Sequence, residues 1–133
     1  MILVDTSVWV EFLRGHIQPP QTGDFRQFVT CGPILQEVVQ GLRAGAPSAV
    51  FENRIRALPC LSDPLPVELF LQAAEIYREG RRKGHTIRST TDCLIATIAI
   101  ENGVAMWHRD RDYDAIAKYT PLRISEWALP RIQ

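Results

Sequence analysis

The chain has 133 residues, 46% of them hydrophobic and 23% charged, enough to bury one core without disulfide or metal staples. No run approaches the ~20 apolar residues that span a bilayer, and the chain starts on a strand-like pattern rather than a basic, then long apolar leader. A single soluble domain over residues 1–133 in the cytoplasm, away from any membrane, is therefore expected. Fifteen basic and fifteen acidic residues cancel, so affinity for nucleic acid can come only from how charge is distributed.

Ile2-Leu3-Val4 is a short apolar run suited to a strand buried on both faces. Thr6 or Ser7 can cap the next helix, whose apolar positions Val8, Trp9, Phe12 and Leu13 recur at helical spacing. Residues 18–23 read as a loop, and residues 24–30 as a short helix running into a brief strand near Cys31. Gly32-Pro33 opens a helix, because proline suits a first turn whose N–H groups lack partners; Ile34, Leu35, Val38, Val39 and Leu42 form its buried stripe. A further helix is expected from Ser48 and a very short strand at Cys60-Leu61. A long helix follows from about Pro66 to Gly80, with Leu69, Phe70, Ala73, Ile76 and Tyr77 facing inward.

Arg81 to Thr90 reads as a basic loop, and Thr91 to Asn102 as an apolar helix ended by Gly103, since glycine tolerates the left-handed terminal position. Val104 to Trp107 makes a strand, Asp110 to Tyr119 a helix, and Pro121 to Ile124 a last strand. Short apolar strands alternating with helices define an α/β fold with a parallel sheet covered on both faces. Cys31, Cys60 and Cys93 lack any paired spacing and read as buried reduced thiols. Trp9, Trp107 and Trp127 read as packing residues rather than base-stacking platforms.

The chemistry lies in the acids. Asp5 ends the first strand, and in an open parallel sheet the carboxyl ends of the strands form the ligand crevice. Glu37 and Asp92 stand near helix starts, and Asp110 and Asp112 follow a strand, so the same edge collects them all. Each has a local alternative: Asp5 and Asp92 could cap helices, Glu37 could be solvated, and Asp110 and Asp112 could pair with their neighbouring arginines. Together they are a different matter. Two carboxylates ~4 Å apart repel by about 4 kcal/mol at an effective dielectric of 20, so a cluster needs a proton or a cation. All-oxygen ligands favour Mg²⁺ or Mn²⁺.

Four segments carry a resemblance. Met1-Ile2-Leu3-Val4-Asp5-Thr6-Ser7-Val8-Trp9, Pro33-Ile34-Leu35-Gln36-Glu37-Val38, Asp92-Cys93-Leu94-Ile95-Ala96-Thr97-Ile98-Ala99 and Arg109-Asp110-Arg111-Asp112-Tyr113 occur in this order. As a set they resemble the motifs of PIN-domain ribonucleases, above all the VapC-type toxins of bacterial toxin–antitoxin pairs. The resemblance implies a three-layer α/β/α fold with a short central parallel sheet of four to five strands. It implies a Mg²⁺-dependent endoribonuclease, with Mn²⁺ a possible substitute, that leaves 5′-phosphate and 3′-hydroxyl ends on tRNA, rRNA or mRNA. It assigns Asp5, Glu37, Asp92 and Asp110 to the metal and the catalysis, with Asp112 the alternative fourth acid. A homodimer held silent by a VapB-like antitoxin is implied too. His108 departs from the family, which usually has a threonine or serine there; its imidazole could donate to Asp110 or to a phosphate.

Thr6 and Ser7 are candidate donors beside the first acid. Arg78, Arg81, Arg82, Lys83, His85 and Arg88 directly precede the Asp92 helix and read as a phosphate-contacting rim, with Arg82 and Arg88 its chief candidates. Competing readings are weaker. A phosphoaspartyl site needs a lysine near the phosphoryl group, and Lys83 and Lys118 follow no strand. A metal-free ribonuclease needs paired histidines, which His16, His85 and His108 do not supply by spacing. A catalytically silent PIN-like module binding RNA or protein is the remaining alternative.

Overall fold

The computed structural model describes residues 1–18 and 20–126, so Trp127 lies outside the described residues. Its strands are β1 (Ile2–Val4), β2 (Phe28–Cys31), β3 (Cys60–Leu61) and β4 (Ala105–Trp107). They form one four-stranded sheet in the order β3-β2-β1-β4, every pair parallel. Leu3 pairs with Val29 on one side and with Met106 on the other. β1 thus sits at the switch of strand order, where successive crossovers leave to opposite sides and open a crevice.

Helices flank the sheet: α1 (Thr6–Leu13), α2 (Thr22–Phe25), α3 (Gly32–Gln40), α4 (Ala46–Arg56), α5 (Val67–Arg82), α6 (Thr90–Asn102) and α7 (Arg111–Ala117). α1, α3 and α4 pack together, as do α5, α6 and α7, and α3 meets α6. This is the expected three-layer architecture. α6 buries Cys93, Ile95, Ala96, Thr97, Ile98 and Ala99 with no polar stripe, as a helix enclosed on all sides must. Gly103 ends it at φ 62°. Trp9 stacks on Phe25 and meets Phe12, Phe28 and Phe51 edge-on, and Trp107 meets Phe28 at 5.8 Å; both tryptophans are packing residues.

Several expectations need correction. The fourth helix begins at Ala46, two residues before Ser48, because Pro47 fits its first turn. The stretch from Arg81 to Thr90 is not all loop: Arg81 and Arg82 form the last turn of α5, where cations suit the helix dipole, and Thr90 already belongs to α6. Phe70 is 50% exposed, since the inward stripe of α5 runs through Leu69, Ala73 and Gly80. Cys60 is exposed because it lies on a two-residue edge strand, while Cys31 and Cys93 are buried. Pro121 to Ile124 contributes one bridge, Ile124 to Met106. No described helix is long and apolar enough to cross a membrane.

Candidate metal centre and active site

The site grows from the ends of β1 and β4. Asp5, directly after β1, donates its backbone N–H to the Trp107 carbonyl at 3.0 Å and so is tied to the end of the neighbouring strand. Asp5, rather than Thr6 or Ser7, is the N-cap of α1: its Oδ2 accepts from the Ser7 N–H at 3.0 Å and from the Ser7 hydroxyl at 2.6 Å. The capping and ligand readings of Asp5 do not compete, because the cap uses Oδ2 and leaves Oδ1 turned to the interior. There Oδ1 accepts from the Tyr113 hydroxyl at 2.8 Å.

Asp92 sits in the first turn of α6, and Asp110 is the N-cap of α7, its Oδ1 accepting from the Asp112 N–H at 2.9 Å. One ligand oxygen from each of Asp92, Asp110 and Asp112 lies within 4.8 Å of the others. Asp110 and Asp112 therefore both belong to the cluster. Asp5, Asp92 and Asp112 are buried, at 5%, 8% and 6% exposure.

Burial and the charges of Asp5, Asp110 and Asp112 push the Asp92 carboxyl up to about 7, against a smaller lowering by the Tyr113 hydroxyl. Its Oδ2 is buried with no hydrogen-bond partner among the described residues. A buried carboxylate oxygen without a partner costs free energy; the neighbouring carboxylates raise its affinity for a proton, but one proton answers only one of the three clustered groups. A divalent cation satisfies all three at once, so the donor set fits one. Glu37 stands further out, accepting from the Thr6 hydroxyl at 3.4 Å. Burial first and Asp5 second raise its pKa, and the Thr6 hydrogen bond opposes them.

Thr6 and Ser7 thus direct their hydroxyls at carboxylates, and the Ser7 Oγ also accepts from the Arg109 N–H at 2.9 Å. His108 does not donate to Asp110. The Asp110 N–H donates to its Nδ1 at 3.0 Å, which fixes the proton on Nε2, 3.2 Å from Asp114 Oδ1. The imidazole shapes the turn into α7. Of the basic rim, Arg88 reaches the acids: its backbone N–H donates to Asp112 Oδ2 at 3.2 Å, and its guanidinium lies 3.4 Å from Asp110 and 3.5 Å from Asp112. Arg82 turns away to Glu79, as Arg78 does to Glu75.

Tyr113 closes the fourth motif segment, yet motif reading gives it no role. Its ring is fully buried and its hydroxyl touches Asp5 at 2.8 Å and Asp92 at 3.2 Å. In sequence Tyr113 and Ile116 look like an ordinary apolar stripe on α7; only the fold aims the hydroxyl at two acids.

The chain matches the PIN domain family over residues 2–119. It is 36% identical over 134 aligned positions to ribonuclease VapC11 of Mycobacterium tuberculosis, covering 96% of this chain and 99% of the relative. The same figures hold for VapC ribonuclease Mb1587 of Mycobacterium bovis. The chain belongs to the PIN domain family. Among solved structures it shares its fold with VapBC-1 from nontypeable Haemophilus influenzae, at TM-score 0.67 and 15% identity over 96% of this chain and 98% of that one. VapC20 of Mycobacterium tuberculosis, described as a sarcin–ricin loop cleaving toxin, gives TM-score 0.58 and 22% identity over 92% and 99%.

Proposed function

We propose that this chain is one PIN unit acting as a Mg²⁺-dependent endoribonuclease of the VapC toxin type, with Mn²⁺ an effective substitute. The observation that carries the reading is the buried, unpartnered Asp92 Oδ2 within a cluster shared with Asp110 and Asp112. Retention of Asp5, Glu37, Asp92 and Asp110 supports a catalyst over a silent binding module.

Asp92, Asp110 and Asp112 would hold the ion, with Asp5 alongside. The cation supplies stabilisation for charge developing on the phosphate and a water nucleophile at neutral pH. The protein's own part is positioning. Ser7 and Tyr113 fix the two oxygens of Asp5, and Tyr113 also holds Asp92. Arg88 stands over the open side of the cluster, where a phosphodiester would enter. Glu37, with its raised affinity for a proton, is available to orient or deprotonate an attacking water near Asp5.

A VapB-like antitoxin as neutralising partner follows from the likeness to VapC11 and from the fold shared with VapBC-1. The exposed apolar side chains Val67, Phe70 and Leu71 on α5, at 70%, 50% and 56% exposure, support a homodimer, because such patches on a small protein usually meet a partner. The central experiment is cleavage of total RNA by purified protein with Mg²⁺, with EDTA, and with Asp5→Asn and Asp92→Asn. Loss of cleavage with EDTA and in both variants is expected. Cleavage that survives all three would overturn the assignment.

A further inference from the structure

We infer that the single-stranded RNA leaves the acidic cluster along the groove between the loop 83–89 and α7, with Arg111 and Lys118 binding its phosphates. This rests on the ribonuclease reading and names the path that substrate takes. The groove has a volume of about 410 Å³, and its lining includes His85, Arg88, Arg111, Asp112, Asp114 and Lys118. It begins at the cluster itself, because Asp112 belongs to both.

Charge in this groove is arranged differently from that on α4 and α5. Arg56, Arg78, Arg82 and Lys83 each pair with a glutamate on their own helix. The side chains of Arg111 and Lys118 are exposed and make no ion pair or hydrogen bond with any described residue. Of the two acids lining the groove, Asp112 is engaged by Arg88 and belongs to the acidic cluster, and Asp114 accepts from the His108 ring. Arg111 and Lys118 together with Arg88 set three cations against these two acids, and neither Arg111 nor Lys118 is held in an ion pair with a described residue.

Spacing suits a strand. Arg111 and Lys118 are seven residues apart, two turns of helix, so both lie on one face about 10 Å apart along the axis. That spans about three nucleotides of a stacked strand. Arg88 at the mouth and Lys118 at the far end would then bracket a short run of backbone leading from the scissile phosphate. Contacts of this kind go to phosphate and carry affinity without base preference.

The test measures binding of a fluorescein-labelled 12-nucleotide RNA by anisotropy across a salt series, on an Asp92→Asn background that keeps the RNA whole. Arg111→Ala/Lys118→Ala is expected to flatten the slope of log K against log salt by about 1.4, at ~0.7 per single-strand phosphate, and to weaken binding about tenfold or more at 0.1 M salt. Arg56→Ala, which removes a paired cation on α4, should leave the slope alone. Arg111→Lys/Lys118→Arg should restore it, which separates charge loss from misfolding. A slope unchanged in the double alanine variant, or reduced equally by Arg56→Ala, overturns the path and would leave the two cations to a protein partner. Failure of the unsubstituted protein to cleave the same RNA with Mg²⁺ would instead overturn the ribonuclease assignment, so the two failures are distinguishable.

Discussion

The Tyr113 hydroxyl lies 2.8 Å from Asp5 Oδ1 inside the core, joining the start of α1 to α7 across 108 residues of chain. A hydroxyl has one proton, yet Asp92 Oδ1 waits 3.2 Å away on its other side. The shorter contact receives the proton, so Tyr113 donates to Asp5 and leaves Asp92 weakly served. Burial and the two carboxylates hold the phenol pKa far above its ordinary value, which makes Tyr113 a positioning residue and not a proton carrier. Groups that orient metal ligands are typically worth about 10–100-fold in metal affinity or activity. Tyr113→Phe should therefore fold, lose about 1 kcal/mol of stability, and require more Mg²⁺ for half-maximal RNA cleavage. A Mg²⁺ titration of cleavage checks this; an unchanged midpoint would reduce Tyr113 to packing.

Asp92 should act against stability in the metal-free protein. Its carboxyl is pushed up to about 7 in the folded state, against about 3.9 for an unperturbed aspartate. Between those values the folded chain binds more protons than the unfolded one, so stability falls as pH rises through this window. The contribution is fully present below about pH 4 and lost above about pH 7. Asp92→Asn removes the titration. Metal-free Asp92→Asn should consequently melt higher than the parent at pH 8, by a margin that shrinks toward pH 5, while RNA cleavage disappears. Mg²⁺ should raise the melting temperature of the parent and hardly move the variant. Thermal melts at pH 5 and pH 8, with and without Mg²⁺, decide it.

Asp5 has two duties that substitution can separate. Its Oδ2 caps α1, and its Oδ1 faces the cluster. Alanine removes both, and a lost cap typically costs ~1 kcal/mol. Asparagine keeps a side-chain oxygen able to accept from the Ser7 N–H but removes the negative charge. Asp5→Asn and Asp5→Ala should both lose RNA cleavage, and the asparagine variant should melt several degrees higher. Equal melting temperatures would show that the cap contributes little.

The fold was largely legible because its signals are local. Ile2-Leu3-Val4, Gly32-Pro33 and Gly103 each carry the physical reason for their own conformation. What the sequence did not show for Arg82 is equally local: Glu75 and Glu79, one turn earlier on a helix that runs on to Arg82, pair with Arg78 and Arg82. Phe70 failed because 3.6-residue periodicity does not say where the packed stripe ends. The acids were recognisable by motif and strand-end position, but the Tyr113 bridge was not. Its contact with Asp5 depends on α7 lying across the end of β1, a relation no window of sequence contains.

Arg88 offers a test in which two effects should run in opposite directions. Its guanidinium, 3.4–3.5 Å from Asp110 and Asp112 and mostly exposed, partly neutralises two of the carboxylates a cation would use. Exposed pairs of this kind are worth only ~0–1 kcal/mol. Removing the guanidinium should therefore tighten Mg²⁺ binding by at most a few-fold, while the backbone hydrogen bond from residue 88 to Asp112 survives. RNA, whose phosphate would meet the same guanidinium, should bind less tightly. Arg88→Ala is expected to lower the Mg²⁺ concentration for half-maximal cleavage and raise the KM for RNA. A fall in both affinities would mean that Arg88 chiefly braces Asp110 and Asp112 for the metal, and that the phosphate enters elsewhere.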